Sequence, residues 1–324
     1  MALTAAAIEL PPSTPARLKL PEFSSQTRLL VIAPHPDDET IANGLLIQQV
    51  RAAGGAVKIL LLTAGDNNPW PQRWLERRVR IAAADRKRWG QRRDVELERA
   101  LQLLDVPSEA LQKLHWPDMG VTDVLLHDGR RAIATLAAAI DAFRPSVIAM
   151  PSLEDRHPDH GSAYVLTRLA LAGRMDVPQQ LTYLIHGHAD RDRFVEVTGT
   201  STQSTSKLQA LTAHESQMAL SGRRMRRLAE RPERYADVPS TQTTPSALLP
   251  WRPSAWLQPR LRLSLADRSK IHTWPWSRAP LQRDSDGAYR LAPSVQSTDS
   301  PRFVRLACDL PTPWIFDHWG WCEL

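Results

Sequence analysis

The sequence predicts an α/β protein, Rossmann-like, with a mostly parallel sheet that carries helices on both faces and a small C-terminal β-rich appendage. Short apolar segments, such as residues 29–33 and 57–63, alternate with longer segments of helical periodicity. This order of strand, helix and strand is typical of parallel α/β sheets. In the C-terminal part, the period-two alternation at residues 260–265 instead indicates a half-exposed strand.

The elements follow one another at the spacing expected for a doubly wound sheet. We predict strands at 27–33, 57–63, 114–116, 146–150, 181–185 and 194–198, and helices at 39–53, 85–104, 131–143, 161–172 and 206–221. Ser, Thr, Pro and Gln are concentrated near residue 239, which indicates a boundary. The predicted divisions are a lead-in at 1–26, an α/β domain at 27–238 and a tryptophan-rich, mostly β extension at 239–324.

Composition indicates a folded, globular chain, with 42% hydrophobic and 23% charged residues. Two cysteines are too few for a disulfide-stapled scaffold. The N-terminus lacks a basic region, and no window reaches the roughly 18 apolar residues of a membrane span. We therefore expect no signal peptide or transmembrane segment and a cytoplasmic location, with peripheral membrane contact as an alternative.

The net charge of +6 is concentrated in a basic run at residues 77–93, which we predict to be helical. A solvated helix face explains it, and contact with an anionic membrane or glycolipid is a second interpretation. No nucleic acid partner is expected, because no nucleic-acid-binding motif accompanies the run.

Two clusters of metal-ligating residue types follow two separate predicted strands. His35, Asp37 and Asp38 follow the first strand, and the stretch 154–160, with His157 and His160, follows the strand at 146–150. Parallel strands end at the same sheet edge, where open α/β sheets place their ligands. Two imidazoles and one carboxylate, with water in the open position, are a ligand set that catalytic zinc prefers.

Two points remain open from the residues alone. A role as helix N-cap would explain one aspartate of the first cluster. It would not explain two adjacent aspartates together with a histidine. Of His157 and His160, spacing does not tell which is the ligand. Other single histidines are more often structural or exposed than functional; these are His115, His127, His186 and His188.

The chain resembles the PIG-L, or LmbE-like, deacetylases, zinc enzymes that remove acetyl groups from N-acetylglucosamine-type sugars. The stretches 34–39 and 157–160 are similar to the two signatures of the family, and 63–66 is similar to the loop after its second strand. Further similar positions extend the resemblance over residues 27–237; they are Arg93, Glu96, Ala100, Lys207, Ala210, His214, Ser216 and Gln217.

The resemblance implies a role for each matched residue. It implies one zinc ion per chain, held by His35, Asp38 and His160. It also implies that Asp37 is the general base, that His157 stabilises the oxyanion, and that Asp159 orients His157. Substrate contacts would come from Arg93 and His214.

The expected function is therefore hydrolysis of an N-acetylated sugar or glycoconjugate to acetate and a free amine. One alternative is a zinc amidase acting on a non-sugar N-acyl substrate or thiol conjugate. Another is a carbohydrate- or lipid-binding module with a non-catalytic metal site. Three segments depart from the family pattern and concern which substrate is bound. They are the insertion at 67–74, the basic helix and the tryptophan-rich extension. Neither the sugar nor the oligomeric state follows from the sequence.

Overall fold

A computed structural model describes residues 19–187, 193–238, 248–295, 301–310 and 316–324. Its largest sheet has seven strands in the spatial order β3-β2-β1-β4-β5-β7-β6. The strands are β1 (Arg28–Ala33), β2 (Ala56–Thr63), β3 (Leu111–Trp116), β4 (Val147–Pro151), β5 (Gln179–Tyr183), β6 (Val195–Val197) and β7 (Glu233–Asp237). The first five are parallel, and β7 and β6 add an antiparallel edge.

Seven α-helices are found among the described residues. They are α1 (Asp38–Ala52), α2 (Pro69–Glu76), α3 (Ala83–Leu103), α4 (Val121–Phe143), α5 (Pro158–Leu171), α6 (Ser201–Ala213) and α7 (Glu215–Ala229). None of them is both long and apolar enough to cross a lipid bilayer.

Both faces of the large sheet are buried, because successive strand side chains point to opposite faces. In β1, Leu29 and Val31 pack into a core with α1, α3, α6 and α7. Leu30 and Ile32 pack into a second core with α4 and α5. The continuous apolar run of this strand is thereby explained, and the predicted Rossmann-like fold class is confirmed.

Four local features differ from the prediction. The helix α4 begins ten residues earlier than expected, at Val121, and contains a kink at Asp128. The single helix predicted at 206–221 is two helices that meet at His214. A short helix, α2, occupies most of the insertion, and β7 was not predicted at all. Hydrophobic periodicity and composition predict secondary structure least well for such short or interrupted elements.

The sheet order creates a switch point between β1 and β4. From β1 the chain moves to β2 and β3 on one side, and from β4 it moves to β5 on the other. The loops after β1 and β4 therefore diverge and leave a crevice at the carboxyl ends of the strands, where α/β sheets of this kind bind ligands.

The C-terminal extension is mostly β, as predicted. It contains β8 (Leu261–Ala266), β9 (Ile271–Pro275), β10 (Leu281–Arg283), β11 (Tyr289–Leu291), β12 (Phe303–Cys308) and β13 (Trp321–Glu323). Four of these strands form an antiparallel sheet in the order β13-β12-β8-β9, and β10 pairs with β11.

The extension packs against the α4–α5 side of the large sheet. Phe303 and Trp321 join the core of α4 and α5, and the indole nitrogen of Trp321 donates to Ser162 Oγ at 3.1 Å. Arg168 of α5 forms two bonds of 3.0 and 3.1 Å with the carboxylate of Glu323. Most of the extension's described tryptophans build its own core or this contact; Trp314 lies outside the described residues.

Candidate active site

A pocket of about 430 Å³ opens at the switch point. Both predicted clusters contribute to its wall, together with residues from the insertion, from α7 and from the extension. Among its lining residues are His35, Asp37, Asp38, Arg93 and His157. The structure thus brings the loops after β1 and β4 together, as the parallel sheet predicted.

His35, Asp38 and His160 lie at one point below this pocket. Nδ1 of His35 is 3.3 Å from Oδ2 of Asp38, and Nε2 of His160 is 3.2 Å from the same oxygen. The two ring nitrogens are 3.4 Å apart. The three atoms form a nearly equilateral triangle, which can hold a single small cation.

His157 lies beside this triangle. One ligand atom of His157 lies within 4.8 Å of ligand atoms of His35 and His160. His160 contacts both Asp38 and His35, whereas no ion pair of His157 with a carboxylate is found among the described residues. This favours His160 as the ligand, a choice that spacing left open.

Buried carboxylates fix the orientation of both ligand histidines. Nδ1 of His160 is 3.1 Å from Asp155, so its Nε2 faces the triangle. Nε2 of His35 is 3.3 Å from Asp118 and 3.3 Å from Asp159, so its Nδ1 faces the triangle. Histidines that bind metals commonly donate their second N–H to a carboxylate in this way.

Asp155 organises the second cluster through four contacts. Besides His160, it accepts the backbone N–H groups of His157, Ile185 and His186, each at 3.0 Å. Burial alone would raise its pKa, but the charge of His160 and these bonds lower it to about 2. Its carboxylate therefore joins the loops after β4 and β5.

Asp159, which was predicted to orient His157, contacts that residue through its backbone and not through its carboxylate. The Asp159 carboxylate does not orient His157: it contacts His35 and accepts the backbone N–H groups of Met119 and Val121 at 2.8 and 3.0 Å. At the start of α5 the side chain turns toward the loop before α4. Only the Asp159 backbone N–H reaches His157 Nδ1, at 3.3 Å.

That backbone contact determines the tautomer of His157. Because Nδ1 accepts a hydrogen bond, the ring proton lies on Nε2. Burial and the nearby positive charge of His35 and His160 hold the pKa of His157 well below its usual range. His157 is therefore a neutral ring that can donate through Nε2.

Asp37 has a strained backbone with φ of 123°. Such values are rare outside glycine and cost on the order of 1–3 kcal/mol. Burial raises the pKa of the Asp37 carboxyl to about 6, against the opposing effect of the Arg93 guanidinium. The residue borders the pocket beside the triangle, as expected for a base.

Arg93 lines the pocket, but most of its hydrogen bonds hold protein groups. It donates to the carbonyls of Pro36 and Gly65 at 2.5 and 2.6 Å and lies 3.4 Å from the Asp37 carboxylate. A Cβ at Gly65, whose φ is 61°, would lie 1.8 Å from the guanidinium. The geometry therefore favours a role for Arg93 in positioning Asp37 over the predicted contact with substrate.

His214 was predicted to contact substrate, but the structure places it away from the pocket lining. The side chain is fully buried at the junction of α6 and α7 and does not line the pocket. Its Nε2 lies 3.2 Å from Glu39, whose other oxygen accepts the backbone N–H of Asp37 at 2.9 Å. His214 thus contacts Glu39, which in turn holds the strained backbone at Asp37.

Replacing His214 with Ala should destabilise the protein and leave KM unchanged. Loss of one partner of a buried pair typically costs about 3–5 kcal/mol, because Glu39 would remain buried without it. Denaturant unfolding and steady-state kinetics measure the two effects. His127→Ala, an exposed histidine on α4, is the matched control. A higher KM with unchanged stability would restore the substrate-contact hypothesis.

Three further residues at the site were not assigned a role from the sequence. His186, expected to be structural or exposed, lines the pocket, with ring centroids 5.1 Å from His160 and 5.5 Å from Phe316. Phe316 comes from the extension and also borders His157. Asp118 follows β3, so it could have been predicted at the site from its position at the same sheet edge. His115 and His127 are exposed, and His188 lies outside the described residues.

Comparison with known proteins agrees with this geometry. Residues 30–171 match the family model described as PIG-L, GlcNAc-PI de-N-acetylase. A 1D-myo-inositol 2-acetamido-2-deoxy-alpha-D-glucopyranoside deacetylase of Mycolicibacterium vanbaalenii is 32% identical over 45% of this chain and 54% of its own length. The deacetylase of the same name from Nocardia farcinica is 32% identical over 47% and 55%. The chain thus spans little more than half the length of these relatives.

A solved structure shares the fold. The N,N'-diacetylchitobiose deacetylase from Pyrococcus horikoshii aligns over 66% of this chain and 84% of its own, with 19% identity and a TM-score of 0.51. Fold and site together define a Rossmann-like α/β protein with histidines and carboxylates grouped as in a metal site. More specifically, residues 30–171 are similar to the PIG-L family.

Proposed function

We propose that the protein is a zinc-dependent N-deacetylase that acts on an N-acetylglucosamine-type sugar or glycoconjugate. The observation that carries the proposal is the triangle of His35, Asp38 and His160 with Asp37 beside it at the pocket. The family match and the relatives, which are deacetylases by name, support the same activity.

The spacing of the triangle fits zinc. A tetrahedral ion about 2.0–2.1 Å from its ligands requires ligand atoms about 3.3–3.4 Å apart. The observed separations are 3.2, 3.3 and 3.4 Å. Two imidazoles and one carboxylate are also a common catalytic zinc set, with the fourth position left for water.

Zinc bound there would act as a Lewis acid and lower the pKa of a coordinated water. Asp37, at the pocket wall, would take the proton as the water attacks the acetamide carbonyl. Arg93 holds the Asp37 carboxylate and the carbonyl of Pro36, so the base keeps its orientation during the reaction.

His157 would donate through Nε2 to the carbonyl oxygen as it gains negative charge. Its orientation is already set by the backbone N–H of Asp159. The proton held by Asp37 then passes to the departing amine, which leaves acetate and a free amino sugar as products.

The pocket supports a sugar substrate. Trp70 and Phe316 place aromatic rings in its wall, and such rings offer an apolar face to a sugar ring. Asn67, Asn68 and Gln217 add polar side chains that can bind hydroxyl groups. We also infer that 27–238 is the catalytic unit, with the extension at 239–324 contributing Phe316 to the pocket.

Acetate release tests the proposal directly. The full chain, loaded with zinc, is incubated with N-acetylglucosamine, its inositol and lipid conjugates, N-acetylated oligosaccharides, N-acyl peptides and thiol conjugates. Acetate from the sugars alone supports the proposal. Acetate from the peptides or thiol conjugates alone would favour the amidase alternative, and no hydrolysis of any compound would favour a binding module.

Chelation of the metal should abolish activity and lower the melting temperature, and added zinc should restore both. A ligand present at about a thousand times its Kd stabilises the native state by about 4 kcal/mol. Differential scanning calorimetry with and without chelator measures the shift. The variant His160→Ala, which lacks one ligand, should show no zinc-dependent shift. Identical melting and activity with and without chelator would contradict the metal assignment.

A further inference from the structure

The mouth of the pocket lies between helices α2 and α7. Pro69 and Trp70 of α2 line one side of the pocket, and Ser221, Arg224 and Leu228 of α7 line another. The two helices contact each other, so they present one surface around the opening. We call it the mouth surface: the exposed residues of segment 70–87 and of α7.

The mouth surface exposes large apolar side chains that a solvated helix would not require. Trp70 and Trp74, four residues apart on α2, are each 67% exposed. Val79, in the segment after α2, is 85% exposed, and Leu220 of α7 is 50% exposed. Such a group of exposed apolar residues indicates a contact with another surface.

The same surface carries a concentration of unpaired positive charge. Beneath the surface, the buried or half-buried carboxylates of Glu76 and Asp85 are neutralised by Arg78 and Arg88, and the exposed Glu215 of α7 lies 3.7 Å from Arg92. Eight further exposed basic residues have no carboxylate within 4.0 Å among the described residues; they are Arg77, Arg80, Arg86, Lys87, Arg223, Arg224, Arg226 and Arg227.

We propose that the mouth surface docks on an anionic lipid bilayer and that the pocket thereby receives its substrate from the membrane interface. Tryptophan prefers the level of lipid head groups, and arginine binds their phosphates. A partner that is only a polyanion, such as nucleic acid, would leave the exposed Val79 and Leu220 without a contact. The proposal depends on the proposed function only for what the pocket does with the bound lipid.

Vesicle binding tests the proposal with the full chain. Co-sedimentation is measured with vesicles of phosphatidylcholine alone and of phosphatidylcholine with phosphatidylglycerol, at low and high salt. We expect binding only to the anionic vesicles and weaker binding at high salt. Each basic residue near an anionic surface contributes roughly a fivefold change in partitioning. The variant Arg77→Gln/Arg80→Gln should therefore bind on the order of 25-fold more weakly.

The apolar contribution is tested separately with Trp74→Ser/Val79→Ser, which should also weaken vesicle binding. None of these four residues lines the pocket. Matched controls are Arg130→Gln/Arg131→Gln on α4, across the sheet, and Trp256→Ser, 74% exposed in the extension. The controls should bind vesicles as the unaltered protein does, and circular dichroism should show that all variants are folded.

The outcomes distinguish this proposal from the proposed function. Hydrolysis of a soluble N-acetylated sugar should be unchanged in the mouth-surface variants. Failure of hydrolysis in every protein would count against the deacetylase and leave the vesicle result valid. Equal binding to neutral and anionic vesicles, or equal loss in the controls, would overturn the docking proposal. Binding to DNA or heparin with none to vesicles would assign the surface to a soluble polyanion instead.

Discussion

Replacing Asp37 with Asn should lower kcat by about two to four orders of magnitude while zinc remains bound, because a positioned general base contributes about that factor. Asn matches the size of Asp and is one of the few residues that tolerate a positive φ. The strained backbone at 123° and the contact of Arg93 with Pro36 can therefore persist. Steady-state kinetics and metal analysis of the purified variant measure the two quantities.

A matched control separates the loss of a base from the loss of a charge. Asp176→Asn removes the same charge from an exposed loop and should leave kcat unchanged. Asp37→Asn with near-normal kcat would show that another group takes the proton. Loss of zinc along with activity would indicate instead that Asp37 belongs to the ligand set.

The variant Asp155→Asn should weaken zinc binding by about 10- to 100-fold, as is common when the partner of a metal-binding histidine is lost. The Asp155 carboxylate accepts from His160 and from the backbone N–H groups of His157, Ile185 and His186. An amide has only one acceptor oxygen, so its NH2 group must face at least one of these donors. Unfolding should also become easier, by about 1–3 kcal/mol.

Zinc titration against a competing chelator and denaturant unfolding measure the two effects. Glu154→Gln is the matched control, because the neighbouring Glu154 is exposed and pairs only with Arg193 among the described residues. Unchanged zinc affinity in Asp155→Asn would mean that the ring of His160 does not depend on this carboxylate. Equal loss in the control would point to a general disturbance of the loop.

Local pattern accounts for much of what was predicted. The apolar runs at β1, β2 and β4 are buried on both faces, so their positions could be inferred without knowledge of their neighbours. The meeting of His35 with His160 followed from a general property of parallel sheets, whose strands end at a common edge. Even the β character of the extension could be inferred from the alternation at 260–265.

The sequence is a poor guide where a side chain has a choice of partners. Asp159 lies two residues from His157, and sequence proximity suggested that pair, yet its carboxylate turns to His35 and the loop before α4. His214 matched a family position but lies behind Glu39, because two helices meet at that residue and enclose it. Distances along the chain do not determine such choices.

The sequence alone therefore determined the fold class, the sheet edge that carries the site and the two clusters of metal-ligating residue types, with the choice between His157 and His160 left open. These depend on periodicity and on residue chemistry, which are local. Only the tertiary structure decided which carboxylate orients each histidine, that His157 donates through Nε2, and that His186 and Phe316 enter the pocket. Those features depend on loops and an extension far apart in sequence, and only the packing of the sheet, its helices and the extension brings them into contact.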